Sequence, residues 1–135
     1  MKKLALITGA TRGIGRGILE IFLQNNFRVI GTYNSSDKIA KEIIQLHGEQ
    51  NVSFIQFSQG DVNSHKELLS KISDNVDVLV NNAGLGSKTV EYVTTDKYEQ
   101  DLELMKVNSL GPLWLCESFI ERMAKQGQGK IINIS

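Results

Sequence analysis

The sequence of 135 residues contains one cysteine and one proline, and no excess charge of either sign. A single thiol, Cys116, cannot form an internal disulfide, and no Cys/His cluster has the spacing of a zinc site. Lys plus Arg and Asp plus Glu both number 15, so nothing favours nucleic acid or an anionic membrane as a partner. The apolar run near the N-terminus is cut by Thr8 and Gly9, too early for a signal peptide or membrane span. These absences predict a globular cytoplasmic protein without a metal site.

Short aliphatic or β-branched runs alternate along the chain with longer stretches of helical periodicity. Runs such as LALI and VDVLV are apolar at consecutive positions, as in strands that are covered on both faces. The alternation is typical of a parallel sheet with crossover helices and predicts one α/β domain over residues 1–135. The predicted strands are Leu4–Thr8, Arg28–Thr32, Val52–Phe57, Val76–Val80 and Lys130–Ser135.

Apolar residues at helical spacing predict amphipathic crossover helices. The first two predicted stripes are Ile14, Ile18, Ile21 and Phe22, and Ile39, Ile43, Ile44 and Leu46. Ser64 and Glu67 have the spacing of a capping box and predict the start of a third helix.

Three glycines lie in the segment TGATRGIG, Thr8 to Gly15, where the first strand ends and the first helix begins. Glycine allows a tight turn and a close approach of ligand to backbone, while the first helical turn offers free N–H groups to an anion. The segment therefore predicts a pyrophosphate-binding loop, with an ordinary strand-to-helix turn as the alternative. It is not a Walker loop, because no Gly-Lys-Ser/Thr follows.

Further motifs follow in a fixed order. Asn81-Asn82-Ala83-Gly84 closes the fourth predicted strand, Asp61-Val62 follows the third, Asn108 lies in VNSLGP, and GKIINIS forms the fifth. With the TGxxxGxG loop, this set resembles the short-chain dehydrogenase/reductase family over the whole chain, and within it the 3-oxoacyl-carrier-protein reductase branch.

The resemblance implies a Rossmann-type doubly wound parallel sheet of strand order 3-2-1-4-5, which in the family continues beyond the fifth strand. It implies a nicotinamide dinucleotide as cofactor and Asn108 as a catalytic residue that holds a water in a proton relay. The implied cofactor-binding residues are Gly9, Thr11, Arg12, Gly13, Ile14, Gly15, Tyr33, Asn34, Ser35, Asp61, Val62, Asn82, Ala83 and Gly84.

The residues after the second predicted strand bear on the choice of cofactor. An NAD-selective enzyme commonly has an acidic residue there, which would repel a 2′-phosphate. This chain has Tyr33 followed by Asn34 and Ser35, and Arg12 in the glycine loop could pair with the phosphate. These residues predict NADP(H) over NAD(H). A solvated Arg12, or Asp37 close to the ribose, would favour the alternative.

Asn108 precedes Pro112 by four residues inside a segment that predicts one long helix. Proline has no N–H to donate, so the carbonyl of Asn108 is expected to be free. The alternatives are a simple kink or two helices that meet at Gly111.

The family's tyrosine and lysine, spaced as YxxxK, have no counterpart here, because Tyr33, Tyr92 and Tyr98 lack a lysine four residues later. The resemblance places that segment beyond Ser135. The chain is therefore expected to be the cofactor-binding portion of an oxidoreductase that acts on a carbonyl or alcohol, and to be inactive alone. The alternative is a non-catalytic dinucleotide-binding sensor or interaction module. We also expect a homo-oligomer, formed through the helix that carries Asn108, where Trp114, Leu115 and Phe119 could supply apolar contact, or through the fifth strand.

Overall fold

A computed structural model of the protein describes all residues from 1 to 135. Its strands form one parallel sheet of order β3-β2-β1-β4-β5, which confirms the predicted topology. The strands are β1 Leu4–Ile7, β2 Arg28–Tyr33, β3 Val52–Gln56, β4 Val78–Asn81 and β5 Lys130–Asn133. All residues of β1 and β4 are buried, as expected for central strands with helices on both faces.

Crossover helices cover both faces of the sheet. They are α1 Gly13–Gln24, α2 Asp37–His47, α3 Val62–Lys71, α4 Lys97–Met105 and α5 Gly111–Gln126, with a 3₁₀ turn at Thr89–Tyr92 and a π-helical segment at Lys106–Leu110. One apolar cluster joins the sheet to α3 and α5 through residues such as Leu68 and Phe119. A second cluster joins the opposite face to α1 and α2 through Leu19 and Ile43. The sheet is therefore doubly wound.

The fourth strand is shifted relative to the prediction. It begins at Val78 and extends to Asn81. Asp77, which the prediction placed inside the strand, lies just before it and is hydrogen-bonded to the first residue of β1. The backbone N–H of Leu4 donates to Asp77 Oδ2 at 2.8 Å, and the N–H of Asp77 donates to the Leu4 carbonyl at 2.8 Å. Asn81 thereby becomes the last ladder residue and pairs with Asn133 of β5.

The predicted apolar stripes are wrong at three positions. Ile14, Ile21 and Leu46 are exposed at 68%, 59% and 69%. In α1, the residue that enters the core is Leu19, which the predicted stripe omitted. The apolar face of that helix is rotated, which leaves Ile14 at the edge where the helix begins.

The capping box predicted from Ser64 and Glu67 is wrong. Helix α3 starts earlier, at Val62, and Asp61 is its N-cap residue, with Oδ1 accepting from the N–H of Asn63 at 2.9 Å. Ser64 Oγ instead accepts from the backbone N–H of Ser58 at 2.8 Å and fastens the turn that leads into the helix.

Helices α4 and α5 are continuous through the π-helical segment. The N–H of Gly111 bonds to the carbonyl of Lys106, five residues back, so the helix widens where Pro112 interrupts the normal pattern. Pro112 itself lies in the first turn of α5, where a missing N–H has little cost. The long helix is confirmed in outline, and the free carbonyl of Asn108 stays a prediction.

Candidate functional site

The carboxyl ends of the two central strands carry the loops of the candidate site. Thr8, directly after β1, is fully buried, and its Oγ1 accepts from the N–H groups of Asn82 and Ala83 at 2.9 and 3.0 Å. One hydroxyl therefore holds the loop after β4 against the glycine loop.

Asn82 provides a second connection between these loops. Its Nδ2 donates to the carbonyls of Thr8 and Gly9, each at 3.2 Å. A Cβ on Gly15 would lie 2.0 Å from the Gly9 carbonyl oxygen and 2.5 Å from Asn82 Nδ2. The first turn of α1 therefore touches the loop backbone directly, and only glycine fits at position 15.

The N-terminus of α1 has the features of an anion site. The N–H groups of Gly13, Ile14 and Gly15 donate to no acceptor within the chain, and the first turn carries no acidic residue. The N-cap residue, Arg12, is exposed and makes no capping bond with its side chain. The positive end of the helix dipole, three backbone donors without internal partners and a cation therefore lie together at this terminus.

Gly13 and Ile14 border the open space in front of this helix terminus. Gly13 has φ +59°, a conformation that side chains rarely adopt, and a Cβ there would meet nothing within 4 Å. Unlike Gly15, Gly13 is therefore required by its backbone conformation and not by a close contact within the chain. The exposure of Ile14 fits the same interpretation, because an apolar side chain at this edge is free to contact a ligand.

The end of β2 closes one side of the glycine loop. Thr32 Oγ1 accepts from the N–H of Gly9 at 3.1 Å, and the carbonyl of Thr32 accepts from the N–H of Ala10 at 3.0 Å. Thr11, further along the loop, is 6% exposed. The loop therefore lies on the side chain and backbone of the second strand.

Tyr33 and Asp37 form a charged cluster just beyond. The Tyr33 hydroxyl donates to Asp37 Oδ1 at 3.0 Å, and Lys41 Nζ lies 2.9 Å from Asp37 Oδ2. The hydrogen bond to the Asp37 carboxylate raises the pKa of Tyr33, while bonds from Lys41 and then Tyr33 lower the pKa of Asp37. Asp37, the acidic residue that would favour NAD(H) if it lay close to the ribose, is thus beside Tyr33. Both of its carboxylate oxygens are already engaged, by Tyr33 and Lys41. Asn34 and Ser35 are exposed between them.

Asp61 and Val62 lie on a different groove. They line an open cleft of 510 Å³ together with Glu103, Lys106, Leu110 and Trp114 on the α4–α5 side. The Asp61 carboxylate is engaged as the N-cap of α3. Contact of these two residues with a cofactor stays a prediction.

Gln59, in the turn after β3, was missed by the sequence analysis. It is 6% exposed, and its Nε2 donates to the carbonyls of Ala83 and Val107, each at 2.9 Å. A glutamine between Ser58 and Gly60 has no periodicity or motif that would distinguish it from a surface turn residue. Only the three-dimensional contacts assign it to the site.

Asn108 reaches the same loop from the π-helical segment. Its Oδ1 accepts from the N–H of Leu85 and its Nδ2 donates to the carbonyl of Leu85, both at 2.8 Å. A Cβ on Gly84 would approach Asn108 Oδ1 to 3.2 Å, so the small residue before Leu85 leaves room for the amide. The structure therefore brings Asn108 to the loop that also borders the glycine turn.

His65 of α3 is buried and hydrogen-bonds to the backbone of Gln59. Its Nε2 lies 2.6 Å from the carbonyl oxygen of Gln59, and its ring packs edge-on against Phe57 and Trp114 at centroid distances of 4.7 and 5.1 Å. Burial lowers the pKa of His65, so the neutral ring donates to Gln59. No pattern in the sequence indicated a partner for this histidine.

No group of three or more His, Cys, Asp or Glu side chains is placed to hold a metal ion. None of the helices combines the length and the apolar character needed to cross a bilayer.

Comparison with known proteins identifies relatives along nearly the whole chain. The family model described as short chain dehydrogenase matches residues 3–135. The 3-oxoacyl-[acyl-carrier-protein] reductase FabG of Aquifex aeolicus is 33% identical over 138 residues, which cover 98% of this chain and 55% of that protein. The FabG of Haemophilus influenzae is 34% identical over 135 residues, with 98% and 54% covered. The chain thus spans about half the length of the curated relatives it matches.

Among solved structures, this chain is also similar to dehydrogenases and covers about half the length of each. The closed form of serine dehydrogenase complexed with NADP⁺ matches with a TM-score of 0.83 at 26% identity, over 98% of this chain and 53% of that one. A short-chain dehydrogenase from Streptomyces avermitilis matches with a TM-score of 0.85 at 26% identity, over 100% and 49%.

Proposed function

Because the chain belongs to the short-chain dehydrogenase family, we propose that it is the dinucleotide-binding part of an NADP(H)-dependent oxidoreductase. The whole protein would transfer a hydride between the nicotinamide ring and the carbon of a carbonyl or alcohol substrate. The nicotinamide supplies the hydride chemistry, and the residues of this chain bind and orient the cofactor. A cytoplasmic location is part of the proposal.

The observation that carries the proposal is the N-terminus of α1. The backbone N–H groups of Gly13, Ile14 and Gly15 have no internal partners, and Gly13 and Ile14 are exposed beside Arg12. A dinucleotide pyrophosphate is an anion that accepts several hydrogen bonds at once and fits such a terminus. Asn82 and Ala83 would form the adjoining wall, since both are fastened to Thr8.

Three observations support NADP(H) over NAD(H). The Arg12 side chain is exposed and makes no capping bond, so it is available to a 2′-phosphate. The Asp37 carboxylate is held by Tyr33 and Lys41, and its charge is therefore partly neutralised. Two of the similar solved proteins are described with NADP or NADP⁺ bound.

For Asn108 we propose a catalytic role in the whole protein, as part of the proton path to the substrate. Its side chain is fixed by Leu85, and its segment is π-helical, a geometry that is frequent at functional sites. The curated relatives named 3-oxoacyl-[acyl-carrier-protein] reductase suggest a 3-oxoacyl thioester as the first substrate to assay.

Calorimetric titration of NADPH and NADH into the chain tests the cofactor proposal. We expect tighter binding of NADPH, and Arg12→Ala should reduce this preference without weakening NADH. Arg28→Ala is the matched control, because Arg28 begins β2 at the opposite edge of the sheet and pairs with Asp74. Equal or stronger binding of NADH by the unmodified chain would contradict the NADP(H) assignment, and no binding of either would contradict the proposed function.

Turnover distinguishes an oxidoreductase from the non-catalytic binding module that the sequence left open. NADPH-dependent reduction of a 3-oxoacyl thioester by the whole protein would support the enzyme. Tight NADPH binding with no oxidation of NADPH, across several carbonyl classes, would favour the module.

We further propose that the protein forms a homo-oligomer through α4 and α5. Leu115 and Phe119, which were expected to supply this contact, are fully buried in the core, so that expectation is wrong for them. The apolar side chains that are exposed along this long helix are Leu102, Met105, Leu110, Leu113 and Ile120. Such a row on a surface helix is suited to packing against a second copy.

A further inference from the structure

Gln59 connects three parts of the molecule that the backbone brings together from distant positions in the sequence. Its amide nitrogen uses both hydrogens, one for the carbonyl of Ala83 in the loop after β4 and one for the carbonyl of Val107 in the π-helical segment. Its own backbone carbonyl accepts from His65 of α3. A neutral NH₂ group at the end of a glutamine side chain is the chemistry that two facing carbonyls require.

Gln59 is tightly packed against the start of α5. A Cβ on Gly111 would lie 2.3 Å from Gln59 Cγ and 2.5 Å from its carbonyl oxygen, so α5 can begin here only with glycine. Gln59 Oε1 is buried and has no partner, although a buried acceptor without a hydrogen bond is unfavourable. Rotating the amide would place that oxygen against two carbonyls, so the observed orientation is fixed by its acceptors.

The two acceptors of Gln59 lie next to the residues of the proposed cofactor edge. Ala83 donates its N–H to Thr8, and its Cα would be 3.1 Å from a Cβ on Gly9. Val107 directly precedes Asn108, whose side chain holds Leu85. The amide of Gln59 therefore joins the residue that contacts the glycine loop, Ala83, to the residue that precedes Asn108, Val107.

We propose that Gln59 is a positioning residue for the cofactor edge, which fixes the Asn82–Gly84 loop against the π-helical segment that carries Asn108. The inference rests on the proposed function for its effect on cofactor binding. The side-chain amide of Gln59 donates to Ala83 and Val107, and its effect on the cofactor edge is exerted through these two residues.

Gln59→Met keeps an unbranched side chain of similar length and removes both N–H donors. We expect about a tenfold loss of NADP⁺ affinity, which corresponds to about 1.4 kcal/mol and is typical of one net hydrogen bond. Amide hydrogen exchange at Leu85 should accelerate, because its bond to Asn108 depends on the spacing that Gln59 sets. Gln45→Met is the matched control at an exposed position of α2 and should change neither measurement.

Gln59→Glu provides a readout that lost packing alone would not give. A carboxylate repels the two carbonyls, whereas the protonated acid regains one donor. The affinity of this variant for NADP⁺, relative to the unmodified chain, should therefore recover as pH falls from 8 to 5. The same ratio for Gln59→Met should stay flat.

The outcomes separate this proposal from the proposed function. If the unmodified chain binds neither NADP⁺ nor NAD⁺, the proposed function fails, and exchange at Leu85 alone decides the role of Gln59. Faster exchange at Leu85 in Gln59→Met, or in Gln59→Glu should the methionine variant not fold, supports the positioning role. Unchanged exchange at Leu85, or a lower melting temperature with unchanged affinity in a chain that does bind, would overturn it.

Discussion

The side-chain amide of Asn108 and the backbone of Leu85 exchange two hydrogen bonds of 2.8 Å, one in each direction. The amide thus pairs with a loop residue in the way that a neighbouring strand would. It joins the π-helical segment to the loop after β4 at a point that no secondary structure connects. Because this pairing needs one donor and one acceptor on the same group, isosteric variants can separate the two bonds.

Asn108→Asp keeps the acceptor for the Leu85 N–H and replaces the donor with a charged oxygen facing the Leu85 carbonyl. We expect the free energy of unfolding to fall by about 1 kcal/mol, since one hydrogen bond is lost at a partly hydrated site. Urea unfolding at pH 7 measures this, with Asn75→Asp as the control at an exposed position. Equal stability of the two variants would show that the pairing with Leu85 contributes nothing.

Gly15 and Gly17 both lie in α1 and give opposite predictions for the same substitution. Gly15→Ala places a methyl group 2.0 Å from the Gly9 carbonyl oxygen, so the loop must move and the protein should lose several kcal/mol of stability, of the order seen for severe overpacking. Gly17→Ala meets nothing within 4 Å and should stabilise the helix by up to about 1 kcal/mol. Thermal unfolding of both variants tests the pair. A tolerated alanine at position 15 would mean that α1 does not rest on the loop.

Much of the fold could be predicted because its signals are local. Strands buried on both faces give consecutive apolar residues, and LALI and VDVLV indicated β1 and β4 to within a few residues. Helix orientation was less predictable. Ile14 and Leu19 are equally apolar in sequence, and only the packing of α1 against the sheet shows that Leu19 is buried while Ile14 is exposed.

The site was predictable where backbone conformation demands a particular residue. Gly13 and Gly15 are visible in the sequence because a positive φ and a close backbone contact each require glycine. Gln59 and His65 were not, because their roles consist of hydrogen bonds to backbone carbonyls, and every residue has a carbonyl. A side chain that hydrogen-bonds to a backbone carbonyl places no requirement on the residue type of its partner, so the sequence shows no pattern there.

His65 should make stability depend on pH. Burial lowers its pKa in the folded state, so the unfolded chain takes up a proton first as pH falls below the ordinary histidine value near 6.5. Stability is therefore retained above about pH 6.5 and lost as pH falls toward the lowered pKa of the folded state. Carboxylates also titrate in acid, so the measured quantity is the difference in stability between the unmodified chain and a His65 variant.

His65→Gln keeps a donor for the Gln59 carbonyl and removes the titrating ring. It should be less stable at neutral pH, because its packing against Phe57 and Trp114 is lost, but its stability should fall less between pH 6.5 and 5. His47→Gln is the control, since His47 is paired with Glu20 at 3.0 Å and is only partly buried. Parallel pH curves for the unmodified chain and His65→Gln would contradict a neutral buried His65.

The proposed association should depend on the apolar row of α5. Leu113 and Ile120 are exposed at 48% and 57%, seven residues apart on one helix face, and Leu113→Lys with Ile120→Lys would place two charges there. Burying such a face contributes about 25 cal/mol per Å² of apolar area before the costs of association, and the like charges of two facing copies would remove that gain. Light scattering over a dilution series should show a dimer for the unmodified chain and a monomer for the double variant.

Leu46→Lys is the control, because Leu46 is 69% exposed on α2, away from this face. A dimer that survives the double variant, but dissociates when Ile132→Lys is introduced in the edge strand β5, would place the contact on the sheet edge, and a monomer throughout would contradict association.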